Sequence, residues 1–152
     1  MKWTVAIVTV VVGVTGLCRA HDARRTVDDR DRCLVPDGVS PEQKLESCTV
    51  VIQSAGQTRQ VLVAAYRNRG VAYNRKGEYD RTIADFDDGI RLNPNYAKAY
   101  NDRGVVYASK RDYARAIADY DQALTSDLDD PYLTEVRQSR ERALAATATP
   151  PE

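Results

Sequence analysis

The sequence predicts an all-α protein built from stacked helix pairs, and three observations carry that prediction. The first is a repeat. Tyr66–Ile90 aligned with Tyr100–Leu124 gives twelve identities in 25 positions without a gap, so that Tyr66 recurs at Tyr100 and Gly70 at Gly104. A fixed period of about 34 residues marks an array of helix–turn–helix units. The second is the apolar spacing inside each copy. Tyr66, Gly70 and Tyr73 stand at i, i+4 and i+7 and form one helical stripe, and Tyr79, Ile83, Phe86 and Ile90 form the stripe of a partner helix. The third is the punctuation. "RKGEYD" places Gly77 where a turn wants a left-handed backbone, and Pro94 in "LNPN" cannot continue the helix before it.

From the N-terminus, residues 1–20 read as an export signal. Lys2 is followed by an uncharged run, Trp3–Leu17, and then by Cys18-Arg19-Ala20. Small residues at 18 and 20 suit cleavage after Ala20. The run is short for a membrane span, which needs about 20 apolar residues. The expected location is therefore periplasmic or secreted, with no stable membrane insertion after cleavage; the alternative is an anchor through an uncleaved segment. Residues 21–39 read as a charged leader followed by a loop. "HDARRTVDDRDR" alternates in sign and has almost no apolar content, as a solvated segment does.

Removing Cys18 with the signal leaves Cys33 and Cys48. Two cysteines in an exported chain are expected to bond to each other, the alternative being two buried thiols. A repeat domain is expected over residues 40–146. Ser40, Pro41 and Gln43 form a capping box that opens a helix, and Leu45, Cys48, Val51, Ile52 and Ala55 give it an apolar face. Cys48 and Ile52 lie one full period before Thr82 and Phe86, so residues 40–56 read as the second helix of a degenerate first unit. Its own first helix is expected to be replaced by a loop around Pro36 and Gly38, pinned by the Cys33–Cys48 bond. Two full repeats follow, 63–96 and 97–130. Residues 131–146 open on Pro131 and are rich in charge, which suits a terminal capping helix. Residues 147–152 read as a flexible tail.

The matched letters also carry a family pattern: an aromatic, a Gly four later, a Tyr three after that, then small, aromatic and Pro positions. These are Tyr66, Gly70, Tyr73, Thr82, Phe86 and Pro94 in the first copy, and Tyr100, Gly104, Tyr107, Ala116 and Tyr120 in the second. The chain resembles a tetratricopeptide repeat protein over about residues 63–128, and resembles small exported repeat proteins of Gram-negative bacteria. The resemblance implies a short right-handed solenoid. Departures from the pattern sit at Thr82 and Gly89, where Ala is usual, at Arg111, where the turn Gly is usual, and at Pro131, displaced from position 128. Ala84 and Ala118 are small enough to sit near helix crossings.

Composition excludes several kinds of chemistry. There are 22 basic and 22 acidic residues, so no net field draws the chain to nucleic acid. The only histidine is His21, and no nucleophile elbow, phosphate loop or metalloprotease motif occurs. Asp85, Asp87, Asp88, Asp119 and Asp121 read as a solvated helix face, since the loop and Gly of a calcium site are absent. No cofactor and no metal are expected, and no enzyme activity; an unrecognised active site is the remote alternative. The resemblance implies instead a concave groove that binds a protein or peptide segment. Its lining would be Ala64, Arg67, Val71 and Asn74 from the first copy and Lys98, Asn101, Val105 and Ala108 from the second. Asn side chains could fix a peptide backbone, and Arg67 or Lys98 could meet a carboxylate. The same residues read otherwise as plain exposed positions. Val71 and Val105 break the polar pattern with which some family members clamp a terminal carboxylate. The implied role is an adaptor or assembly helper in the bacterial cell envelope. The competing one is self-association of a structural protein into a homo-oligomer.

Overall fold

The computed structural model describes residues 28–35, 38–125 and 130–148. The expected signal with its cut after Ala20, the start of the charged leader, Pro36, the junction around Leu128 and the end of the tail lie outside the described residues. Residues 28–34 are helical (α1). They are followed by α2 (Pro41–Gln53), α3 (Arg59–Arg75), α4 (Tyr79–Leu92), α5 (Ala97–Ser109), α6 (Tyr113–Leu124) and α7 (Asp130–Ala148), with no strand among the described residues. None of these helices is long and apolar enough to cross a membrane.

Each helix from α2 onward packs on the next in sequence, and α3 and α5 also touch, as do α5 and α7. That is the contact pattern of a linear stack, in which each unit meets only its neighbours. Helix ends follow from local chemistry. At α2 the Ser40 hydroxyl accepts from the Gln43 N–H at 3.2 Å, and Gln43 Oε1 accepts from the Ser40 N–H at 3.2 Å. Thr58 caps α3 through the Val61 N–H, and Asp112 caps α6 through the Arg115 N–H. The two turns inside the repeats share one backbone. Gly77 has φ +74° and Arg111 has φ +61°, so the second copy keeps a left-handed turn without its glycine.

The core is a series of aromatic rings seated on glycines. Phe86 is 1% exposed and Tyr120 is 2% exposed. A Cβ on Gly70 would lie 2.7 Å from a Phe86 ring carbon, and one on Gly104 would lie 2.8 Å from a Tyr120 ring carbon. The missing side chain is what lets each pair of helices close. At the N-terminal end Cys33, Cys48, Val51, Val61 and Ala65 form a smaller cluster.

The structure corrects four sequence expectations. Residues 28–34 form a helix where the sequence predicts a leader and a pinned loop, so the Cys33–Cys48 disulfide joins two helices, with Cα atoms 4.8 Å apart. The buried face of α4 is Thr82, Asp85, Phe86 and Gly89; Tyr79 is exposed, and Ile83 and Ile90 are half-buried. Phe86 holds its expected buried place, while Thr82 and Gly89 are buried in place of Ile83 and Ile90. Ala84 and Ala118 are exposed and sit at no crossing. Finally, Asp85 and Asp119 are buried, not solvated, because each faces an arginine of the preceding helix.

Candidate functional site

The eight expected groove residues lie on successive turns of α3 and α5. Lys98 and Val105 are exposed, and Ala64, Arg67, Val71, Asn74 and Ala108 are half-buried. Asn101 departs from the expectation: it is buried at 5% exposure. Neither its Oδ1 nor the neighbouring Tyr132 hydroxyl completes a hydrogen bond among the described residues. Asn101 is therefore part of the contact between α5 and α7 and offers little to a partner.

Arg67 is engaged within the chain. Its Nε donates to Asp102 Oδ2 at 2.7 Å, tying α3 to α5. Burial works against the Arg67 charge, yet the guanidinium is held above its ordinary pKa, chiefly by Asp102 with help from Tyr96 and Tyr132. Burial likewise pushes the Asp102 carboxyl up, and Arg67 offsets only part of that rise. Tyr96 and Tyr132 flank the pair, and burial raises both phenols. Lys98 Nζ lies 5.8 Å from the centroid of the Tyr132 ring. The expected role of Arg67, meeting a partner's carboxylate, is thus already filled by Asp102.

Two clefts flank this central pair. One of about 420 Å³ lies between the start of α3 and the α4–α5 connection, lined by Val63, Ala64, Leu92, Pro94 and Tyr96, with Arg59 at its edge. The other, of about 370 Å³, lies between α5, α6 and α7 and includes Val105 and Ala108. Behind the groove, arginines lock the repeats together. Arg69 donates to both oxygens of Asp85 at 2.9 and 2.7 Å and to Thr49 on α2 at 3.2 Å. Arg103 repeats the arrangement with Asp119 at 2.8 and 2.6 Å and also meets Asp87 on α4. The hydrogen bonds that they donate to Asp85 and Asp119 hold both guanidiniums above their ordinary pKa.

This geometry meets its family at the repeat. The tetratricopeptide repeat family model matches residues 63–96 and 97–129. The chain carries two tetratricopeptide repeats. Its first helices, α3 and α5, supply the candidate groove, and α4 and α6 back them. No curated protein matches the chain. Among solved structures, the MamA protein aligns with a TM-score of 0.61 at 25% identity, over 71% of this chain and 55% of that one. This chain therefore spans about half the length of MamA. The TPR2B domain of yeast Sti1, in a pHsp70 complex, aligns with a TM-score of 0.64 at 20% identity over 82% of this chain and 98% of the domain. The first repeat domain of Spaghetti (RPAP3), bound to the HSP90 peptide SRMEEVD, gives 0.62 at 21% identity over 72% and 81%. The last two likenesses speak to the all-α repeat fold alone.

Sequence reasoning missed Asp102, Tyr96 and Tyr132 as parts of this surface, and Arg142, which lines the second cleft. Asp102 was legible in principle, since it follows Arg67 by one repeat plus one residue and so comes opposite it on the first helix of the next repeat. The others depend on how α7 and the α4–α5 connection fold back, which no period announces. Among the described residues, no three His, Cys, Asp or Glu side chains gather where they could hold a metal ion.

Proposed function

We propose that the protein is a non-catalytic interaction module that holds a peptide or protein segment in the groove of α3, α5 and α7, as an adaptor or assembly helper of the bacterial cell envelope. The observation that carries this reading is the pair of tetratricopeptide repeats whose first helices leave Lys98 and Val105 uncovered, beside two clefts of peptide-side-chain size. Such shallow, partly apolar surfaces with scattered polar groups suit an extended segment. The solved repeat domain that holds the peptide SRMEEVD supports the same use of the fold. The envelope location rests on the apolar run Trp3–Leu17 behind Lys2 and on the Cys33–Cys48 bond, which is at home in an oxidising compartment.

In-cell photocrosslinking tests the reading. A photoreactive residue at Lys98 or Val105 should capture a defined envelope protein, and one at Ala118, exposed on α6, should not. Capture from Ala118 alone would place the working surface on the opposite side. A product of twice the chain's mass would make a second copy the occupant.

A further inference from the structure

The cleft at the C-terminal end of the groove combines an apolar lining with a basic side chain, Arg142. It opens because α7 packs along α6 and touches α5 only lightly. Small residues, Ala108, Ala143 and Ala146, are among its lining and leave a hollow of about 370 Å³. Val105 and Tyr113 provide its accessible apolar wall, with the buried Tyr120 ring at its base. Val105 is 39% exposed, one of few large hydrophobic side chains so uncovered among the described residues. An apolar wall around a hollow of this size gains by taking a side chain out of water.

Its lining includes Arg142, which is held differently from the arginines that lock the stack together. Arg67, Arg69, Arg103 and Arg140 are each neutralised by an aspartate of an adjoining helix: Asp102, Asp85, Asp119 and Asp121. Arg142 instead donates to the Gln138 carbonyl at 3.2 Å and to the Ser139 hydroxyl at 3.1 Å. Among the described residues, no carboxylate pairs with it. The site therefore joins an apolar bed to one cation whose counter-charge the described residues do not supply. Charge complementarity at such a rim selects between partners more than it sets overall affinity.

The geometry points to the Val105–Arg142 cleft as the anchor subsite of the groove, for an aromatic or branched apolar side chain lying next to an Asp or Glu side chain in a partner's internal segment. This rests on the reading of the protein as an interaction module and moves its specificity away from Arg67, whose charge is already met.

The test uses purified protein and three peptides with capped ends, alike except at the centre: Asp-Phe-Asp, Lys-Phe-Lys and Asp-Ser-Asp. The Asp-Phe-Asp peptide should shift the methyl NMR signals of Val105 and Ala143 and bind about tenfold more tightly than the other two, or better. Arg142→Glu should reverse the preference between the Asp and Lys peptides, and Val105→Asp should abolish binding. Both positions are exposed, so unchanged melting of the variants verifies that they fold. Equal binding of the three peptides, shifts confined to other residues, or no binding at all would overturn the assignment. The broader reading fails separately. If Lys98 still captures its envelope partner in the Arg142→Glu variant, the groove stands and this subsite is wrong. If no groove position of the unaltered protein captures anything, the interaction module itself is wrong.

Discussion

Arg103 sits 17% exposed between Asp119 at 2.6 Å and Asp87, and the Asp119 side chain is 8% exposed. A carboxylate so placed tolerates burial only while its guanidinium is present. Arg103→Ala should therefore cost about 3–5 kcal/mol, the penalty of stranding a buried charge. The double variant Arg103→Met, Asp119→Leu should recover much of that, since it strands nothing. Urea unfolding of the three proteins decides it, and equal losses in the single and double variants would show that packing, not charge, holds the site. The glycines make a second contrast. A Cβ on Gly104 would lie 2.8 Å from the Tyr120 ring and 3.2 Å from the Ala116 carbonyl, whereas one on Gly89 would find nothing nearer than 3.8 Å. Alanine gains about 1 kcal/mol of helix propensity at either site, but overpacking costs about 1–3 kcal/mol. Gly104→Ala should lower the melting temperature and Gly89→Ala should raise it. The glycine at 104 was legible from the repeat. The ion pair was not, because Arg103 and Asp119 lie on different helices with a turn between them, and a local Asp-x-Asp pattern looks the same in solvent.

Helices α3 to α6 could be read from sequence because each has a partner copy one period away and a turn or cap at its end. Helix α1 could not. Its residues 28–34 are mostly charged, and what holds them is tertiary. The Lys44 ammonium donates to the Arg32 carbonyl at 2.9 Å and to that of Val35, capping the end of α1. Asn68 on α3 donates to the Cys33 carbonyl at 2.8 Å, and Cys33 is bonded to Cys48. The bond closes a loop of 15 residues and can contribute up to about 3 kcal/mol. Since this anchoring is confined to one end of the stack, Cys33→Ser with Cys48→Ser should loosen α1 and the start of α2 and leave α3 to α6 in place. Hydrogen exchange should then rise over residues 28–45 and stay protected at Phe86 and Tyr120. A uniform rise over the whole chain would mean that α1 closes the entire core.

At the scale of the whole molecule, five described carboxylates, Glu42, Asp80, Asp85, Asp102 and Asp112, are held away from their ordinary range and respond to acid in opposite directions. Asp112 is held below the usual carboxylate range by its Arg115 hydrogen bonds, Asp80 by Lys110, and Glu42 by a backbone hydrogen bond at the start of α2. A folded pKa below the unfolded one gives stability that is present above an unfolded value of about 4 and lost as pH falls through the folded value. Asp85 and Asp102 are pushed up by burial, more than Arg69 and Arg67 pull them down. Their contribution runs the other way: it is present below the unfolded pKa and lost as pH rises through the folded one. Lowering the pH from neutrality therefore relieves the buried pair first and releases the exposed groups only afterwards. The urea midpoint should hold level or rise slightly from pH 6 to about pH 4, then fall below that. Asp102→Asn removes one of the two opposing carboxylates from the groove, so its midpoint should show less of the rise and begin its descent at higher pH. If the two proteins trace parallel curves over that range, Asp102 titrates alike in the folded and unfolded chain, and the Arg67–Asp102 pair compensates fully for its own burial.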